Sequence, residues 1–404
     1  MFLIYINDIV DDIRSVIKLF ADDTSLSYAF EDAIVRADVL DSDLERISVW
    51  AKQWKMIFNA EKTDVVNYGK DTALSYQLSF NNTLLTETHS HKHLGLTLQS
   101  NGKWDTHIAS IARKVNTLIS CLKSFKYKLR RKALETMYKS FILPIFDYAD
   151  IIWDSCTLAQ STLLENLHLE AIRIILGGVR GTSHEKLYKE SGFISLKERR
   201  LNHKLLAYKK ITLGLGPNYL QNLLPPLVSS VNPYHRRRPL DRYEPHSKTE
   251  TYRKSFFPST TSAWNTLPIH MQETISLGEF KRELNAAATK VPVYYYFGER
   301  AEQIVHCRLR LEMSDLNSDL YNRHLTDNPS CTCRRGIDSA EHYLLLCPIY
   351  DTISLTTIDT LPGHFRNVNT LPYGDHRISV EENQEIFSSV HSFIKHSNRF
   401  SKKS

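Results

Sequence analysis

The segment Leu19-Phe20-Ala21-Asp22-Asp23-Thr24 places two adjacent carboxylates at the end of a run patterned as a strand. Ile17, Leu19 and Ala21 alternate with Lys18 and Phe20, and Asp22-Asp23 then turns the chain into Ser25-Leu26-Ser27-Tyr28. The pattern predicts a hairpin with both acids at its tip. Phosphoryl transfer by two metal ions needs hard anionic oxygens that hold two Mg²⁺ about 4 Å apart. As a bare pair, Asp-Asp before Thr-Ser also reads as a turn or a helix cap, so the neighbours have to decide.

Upstream, Met1 opens directly into the apolar run Phe2-Leu3-Ile4-Tyr5-Ile6, as an internal segment of a longer protein does. Downstream, Leu40, Leu44, Ile47, Ala51, Trp54 and Phe58 recur at spacings of three and four, which predicts an amphipathic helix widened by Trp50. Short strands are expected at Val65-Val66-Asn67-Tyr68 and Tyr76-Gln77-Leu78-Ser79-Phe80, with Asn81-Asn82 as a turn into Leu84-Leu85. A last strand is expected from His93 to Leu98, closed by Ser100-Asn101-Gly102.

From Thr106 the period becomes helical, with Ile108, Ile111, Val115, Leu118 and Leu122 on one stripe and a second helix running towards Pro144. A further helix from about Ala159 stops at Gly177-Gly178. Residues 214 to 250, rich in Pro, Gly, Arg and Tyr, read as a linker or irregular connection; Arg236-Arg237-Arg238 within it is too short to define a nuclear signal. A helical segment near Phe280, a Cys/His cluster and a polar tail ending Ser401-Lys402-Lys403-Ser404 complete the chain.

Taken in order, these motifs resemble the palm of reverse transcriptases from non-LTR (LINE-type, jockey-like) retrotransposons. Phe2 to Ile9 looks like the helix that precedes the Phe-Ala-Asp-Asp hairpin of that family. Trp50, Trp54 and Phe58-Asn59-Ala60-Glu61-Lys62-Thr63 are similar to its next motif. His93-Leu94-Gly95-Leu96, with Trp104 and His107-Ile108, resembles the primer-grip strand and the start of the thumb. Phe256-Phe257-Pro258-Ser259 with Trp264-Asn265-Thr266-Leu267-Pro268 resembles a segment found beyond the thumb.

The resemblance implies that Asp22 and Asp23 bind catalytic Mg²⁺, that Lys62 helps protonate the pyrophosphate leaving group, and that Leu94 and Gly95 place the primer end. It also implies that the motif with the other metal-binding Asp, and the Gln-Gly loop that contacts nucleotide and template, would precede Met1. The expected fold is α+β: a partial polymerase palm over 1–106, a helical thumb and connection over 107–213, a linker with a helical segment over 214–295, a small Cys/His zinc-binding module over 296–360, and a tail over 361–404. The implied function is that of a fragment of an RNA-directed DNA polymerase acting on RNA template and DNA primer or target, inactive alone. The competing reading is a nucleic-acid-binding or zinc-dependent interaction remnant without catalysis.

The net charge of +6 over 404 residues is modest, but its distribution is uneven. Arg113, Lys114, Lys123, Lys126, Lys128, Arg130, Arg131, Lys132 and Lys139 face one acid, Glu135, in 28 residues. Such a stripe suits a polyanion, or else is a solvated helical face. No apolar run approaches the roughly 18 to 20 residues that span a bilayer, and the opening is too short for a signal-peptide core, so a soluble intracellular protein is expected.

Of six cysteines, three fall in Cys331-Thr-Cys333…His342…Cys347, a Cys-x-Cys-x8-His-x4-Cys spacing. Three soft sulfurs and an imidazole are a closed tetrahedral zinc set that leaves no position for a substrate water. Cys121, Cys156 and Cys307 read as packing residues. His89, His91 and His93 alternate as on one exposed strand face.

Overall fold

The structure is a computed structural model that describes residues 2–30, 33–68, 77–231, 238–286 and 289–401. Tyr76, Arg236, Arg237 and the terminal Lys402-Lys403-Ser404, all named above, lie outside the described residues. The chain is mixed helix and sheet, mainly helical, and divides into two compact units, Met1–His107 and Ile108–Ser404. No helix among the described residues is long and apolar enough to cross a membrane.

The first unit is built from small two-stranded ladders around one long helix. β1 (Val16–Phe20) pairs antiparallel with β2 (Asp23–Ser27). β3 (Asp64–Val65) pairs parallel with β6 (Thr86–Glu87), β4 (Ser79–Phe80) antiparallel with β5 (Thr83–Leu84), and β7 (Ser90–His93) antiparallel with β8 (Leu96–Gln99). The helix Ala33–Trp54 supplies Leu44 and Ile47 to a core shared with Ile6, Ile9, Leu78, Phe80 and Leu85.

This helix stops before Phe58, which the periodicity had included. Lys55 takes a left-handed φ of +55°, its N–H bonds the Lys52 carbonyl, and the Met56 N–H bonds Ala51. That is a Schellman termination with lysine where glycine is usual, so composition did not signal it. Phe58 instead packs edge-on against Phe80. Residues 66–68, read as strand, lie beyond the two-residue β3. Asn81 and Asn82 both take positive φ, +50° and +62°, and form the two-residue turn expected there.

The single strand expected from His93 to Leu98 is a hairpin. His93 pairs with Leu96, leaving Leu94 (φ +45°) and Gly95 (φ +83°) as its two-residue loop. Two consecutive positive φ values define a primed turn, which glycine makes accessible.

The second unit is helical, and its described residues form several buried apolar clusters. Helix Leu158–Leu176 opens on a capping box, Thr157 with Gln160, and ends at Gly177 with φ +74°. A Cβ on Gly177 would lie 2.5 Å from Ile304, so helix end and close packing both require glycine. Leu169, Ile172 and Leu176 pack with Leu187, Cys307 and Leu311. Tyr208, Trp264 and Phe280 anchor a second cluster, and the connection read as a linker is pinned to it. There, Trp264 Nε1 donates to the Leu240 carbonyl at 3.0 Å, and the Asn265 amide both accepts from Arg242 N–H (3.0 Å) and donates to its carbonyl (2.8 Å).

Within the segment read as a tail, residues 361–401 are folded. Helix Val380–Ser397 buries Ile386, Phe387, Val390 and Phe393 against Tyr294, Leu309, Tyr343 and Leu344. Its polar face had masked an apolar stripe, and that stripe completes the core on which the Cys/His segment rests.

Candidate functional site

In the hairpin, Phe20 pairs with Asp23, so Ala21-Asp22 is the loop and both carboxylates are exposed. Ala21 holds φ at +54°, a left-handed conformation that costs a residue with a Cβ energy and fixes where Asp22 emerges. The hairpin is anchored from below. Ile17, Leu19 and Leu26 pack on the core, and the fully buried Asp43 accepts from the N–H groups of Ser15 (2.7 Å) and Arg14 (3.1 Å) just before β1. Sequence reasoning missed Asp43, because an acid inside a charged helix looks like surface.

Lys62 is exposed at the end of a short 3-10 turn, Ala60–Lys62, whose start is capped by the Asn59 side chain. Leu94 and Gly95 form the β7–β8 loop described above. Of the alternating histidines, His91 Nδ1 pairs with Asp64 at 2.7 Å. Among the described residues, no third His, Cys, Asp or Glu joins Asp22 and Asp23 at metal-ligand spacing.

Such a grouping exists in the second unit. The ligand atoms of Cys331, Cys333, His342 and Cys347 all lie within 4.8 Å of one another. Cys331 and Cys347 Sγ are 3.7 Å apart, and Cys333 Sγ is 3.2 Å from His342 Nε2. A tight loop delivers the first pair. Ser330 bridges Ile337, the Cys331 N–H donates to Gly336, and the Arg334 N–H donates to Cys331, so the chain doubles back between them.

A π-turn, His342–Leu346, delivers the second pair. In an α-helix, residues five apart diverge by about 140° around the axis, whereas the i→i+5 bonding of a π-turn brings them near one side. Leu344 is buried and Leu345 packs beside it, whereas Leu346 is exposed. Burial pushes the Cys347 thiol up to about 12. Desolvation acts the same way on Cys333, but the Arg335 N–H and the neighbouring thiols outweigh it and hold that thiol below its ordinary value.

The basic stripe divides by burial. Arg113, Lys114 and Lys128 are exposed, Lys126 is half-buried, and Arg130 is exposed and paired with Glu299. Arg131, expected to contact nucleic acid, is buried. Its guanidinium donates to Glu190 at 2.9 Å, and Arg310 donates to the same carboxylate at 2.7 Å while lying 3.9 Å from the Tyr295 ring centroid. Desolvation raises the Glu190 carboxyl, yet Arg310 and Arg131 outweigh it and hold the carboxyl below its ordinary value. Spacing in sequence records charge but not which helical face turns inward, so this buried triad left no signal. A second group, Asp147, Asp150 and His203, also converges, but Arg199 already grips both Asp147 oxygens.

With this geometry in hand, comparison with known proteins is informative. No family model matches the chain. It is nonetheless a distant relative of RNA-directed DNA polymerases. The relatives are those of non-LTR mobile elements: it is 26% identical over 245 residues to the RNA-directed DNA polymerase from mobile element jockey of Drosophila melanogaster, covering 59% of this chain and 26% of that protein. It is 22% identical over 167 residues to a probable RNA-directed DNA polymerase from transposon X-element of the same species, covering 41% and 18% respectively. It is 25% identical over 148 residues to a Pol polyprotein from type-1 retrotransposable element R1 4 of Nasonia vitripennis, covering 36% and 38%. The chain thus spans about a quarter of the length of the jockey polymerase.

Proposed function

We propose that this chain serves RNA-directed DNA synthesis as the nucleic-acid-holding portion of a polymerase, and that these 404 residues alone bind primer and template without extending the primer. The observation that carries the reading is the exposed Asp22-Asp23 pair at a two-residue hairpin loop in a chain related to such polymerases. In this reading the first unit is a partial palm, and the helices that follow it are thumb and connection.

Two exposed carboxylates fit part of a Mg²⁺ site, since hard oxygens suit that ion. When bound, the ions supply electrostatic stabilisation of the phosphoryl group in transit. Asp22 and Asp23 hold them, Lys62 offers a proton to the leaving pyrophosphate, and the Leu94-Gly95 loop positions the primer end. Arg113, Lys114, Lys126, Lys128 and Arg130 take phosphates; Arg131 does not, being committed to Glu190. A two-metal site needs more ligands than the described residues gather around the hairpin, which supports the reading of binding without catalysis.

The Cys/His cluster is read as a structural zinc site. Three thiolates and an imidazole are a soft donor set, and ligands about 2.3 Å from a tetrahedral ion lie about 3.8 Å apart, as the Cys331–Cys347 separation of 3.7 Å fits. The experiment is Mg²⁺-dependent extension of a DNA primer on an RNA template by the purified 404-residue chain. Gel-shift binding with no extension is expected. Extension that disappears in Asp22→Ala would overturn the non-catalytic half, and absence of binding would overturn the whole.

A further inference from the structure

The second unit has a cleft of about 290 Å³ that shares Lys123 and Lys126 with the stripe and whose lining is strongly cationic. Lys123, Lys126, Arg173, Arg180 and Arg308 line it against one acid, Glu170, with Tyr127 at its edge. Glu170 sits 3.5 Å from Arg173, a loose pair that leaves the local excess positive. We propose that this cleft binds single-stranded nucleic acid, seating one backbone phosphate among Arg173, Arg180 and Arg308 with the adjoining base stacked on Tyr127. The inference rests on the nucleic-acid reading of this unit and names a site within it.

The end of helix Leu158–Leu176 beside the cleft is the obstacle such a site must overcome, because the free carbonyls of a helix C-terminus repel anions. Here they are already taken. The buried Arg300 donates to the Ile174 and Ile175 carbonyls, both at 2.9 Å, and to Lys126 O at 2.7 Å. Arg308 Nε donates to Gly177 O, also at 2.9 Å. Arg300 thus offsets the negative helix end from behind the cleft, while Arg308, also 3.5 Å from Asp315, does so from within its lining.

Tyr127 supplies the second half of the argument. The residue is 65% exposed, with Lys126 Nζ 5.3 Å from the ring centroid. An exposed aromatic beside cations is the stacking platform that unpaired bases use, and paired bases keep their faces inside the duplex.

The test is fluorescence anisotropy of the full chain with a labelled 12-nucleotide DNA, the same sequence as RNA, and the blunt DNA duplex, each at several salt concentrations. Single strands are expected to bind more tightly than duplex. Tyr127→Ala should weaken single-strand binding by about tenfold while Tyr127→Phe retains it. Arg180→Ala should lower the salt slope on single strands by about 0.7. The DNA and RNA arms identify which strand the cleft takes. Tyr127→Ala binding single strands as wild type does, or inorganic phosphate displacing the oligonucleotides equally from wild type and Tyr127→Ala, would overturn the proposal. A combined Arg113→Ala, Lys114→Ala, Lys128→Ala variant separates the two readings. Loss through that variant alone sinks the cleft and keeps the stripe, whereas loss through the cleft variants alone supports the cleft and removes the stripe from the proposed function.

Discussion

In the first unit, Asp22 on a two-residue loop and Asp23 at the start of β2 stand exposed, and the polar anchor of their hairpin is one buried carboxylate, Asp43. In the second, Cys331, His342 and Cys347 are buried, and the segment that carries them rests on a core running from Tyr294 to Ile394. The first arrangement is assembled from neighbours in the chain and leaves its chemistry open to a substrate. The second is assembled from a loop, a π-turn and a terminal helix, and closes its chemistry off. An open pair of acids is suited to a reaction completed by other groups, and a closed donor set to holding structure together.

The sharpest challenge to that contrast is a test of whether the closed site holds the zinc proposed for it. Binding energy at such a site is folding energy, on the order of 10 kcal/mol in small zinc modules. We expect about one zinc per chain, near-complete loss in both Cys333→Ser and His342→Ala, and new proteolytic cuts confined to residues 326–350. Full zinc retention in both variants, or a wild type well folded with little zinc, would break the comparison.

Next in size is the buried triad. Glu190→Ala leaves Arg131 and Arg310 as unpaired buried cations, which should cost roughly 3 to 5 kcal/mol of stability in the second unit. Chemical denaturation followed by hydrogen exchange would locate the loss. A change below about 1 kcal/mol would mean that the triad holds little together.

Acidification should act on the same unit. Burial lowers the His168 imidazole to about 4; its Nε2 donates to the Ile194 carbonyl, and its Nδ1 accepts from the Tyr138 hydroxyl. The folded value lies below the ordinary 6.5, so the unfolded chain takes up a proton first as pH falls. Stability from the neutral ring is therefore complete above about pH 6.5, declines between 6.5 and about 4, and has lost about 2 kcal/mol by pH 5. Unfolding of wild type and His168→Gln at pH 7 and pH 5 measures this, and identical pH dependence in the two would refute the assignment.

The smallest effect concerns the open site. Asp43→Ala strands the Arg14 and Ser15 N–H groups and should cost about 1 to 3 kcal/mol locally. Faster exchange of the Ser15 amide and of β1 is the expected readout; unchanged exchange would show that apolar packing of Ile17, Leu19 and Leu26 suffices.

Local pattern made much of this legible in the amino-acid order. Alternation around Leu19 gave the hairpin and its acids, Asn81-Asn82 its turn, Gly177 its helix stop, and the Cys-x-Cys…His…Cys spacing the donor cluster. Each depends on residues close in sequence, where backbone preference and side-chain chemistry act directly. Helix ends and burial were settled elsewhere. Lys55 ends a helix without glycine, Arg131 is spent on Glu190 59 residues away, and Val380–Ser397 folds back to support the cluster. These are tertiary decisions, because burying a charge or an apolar stripe depends on what the rest of the chain packs against it, and a linear order of residues does not carry that information.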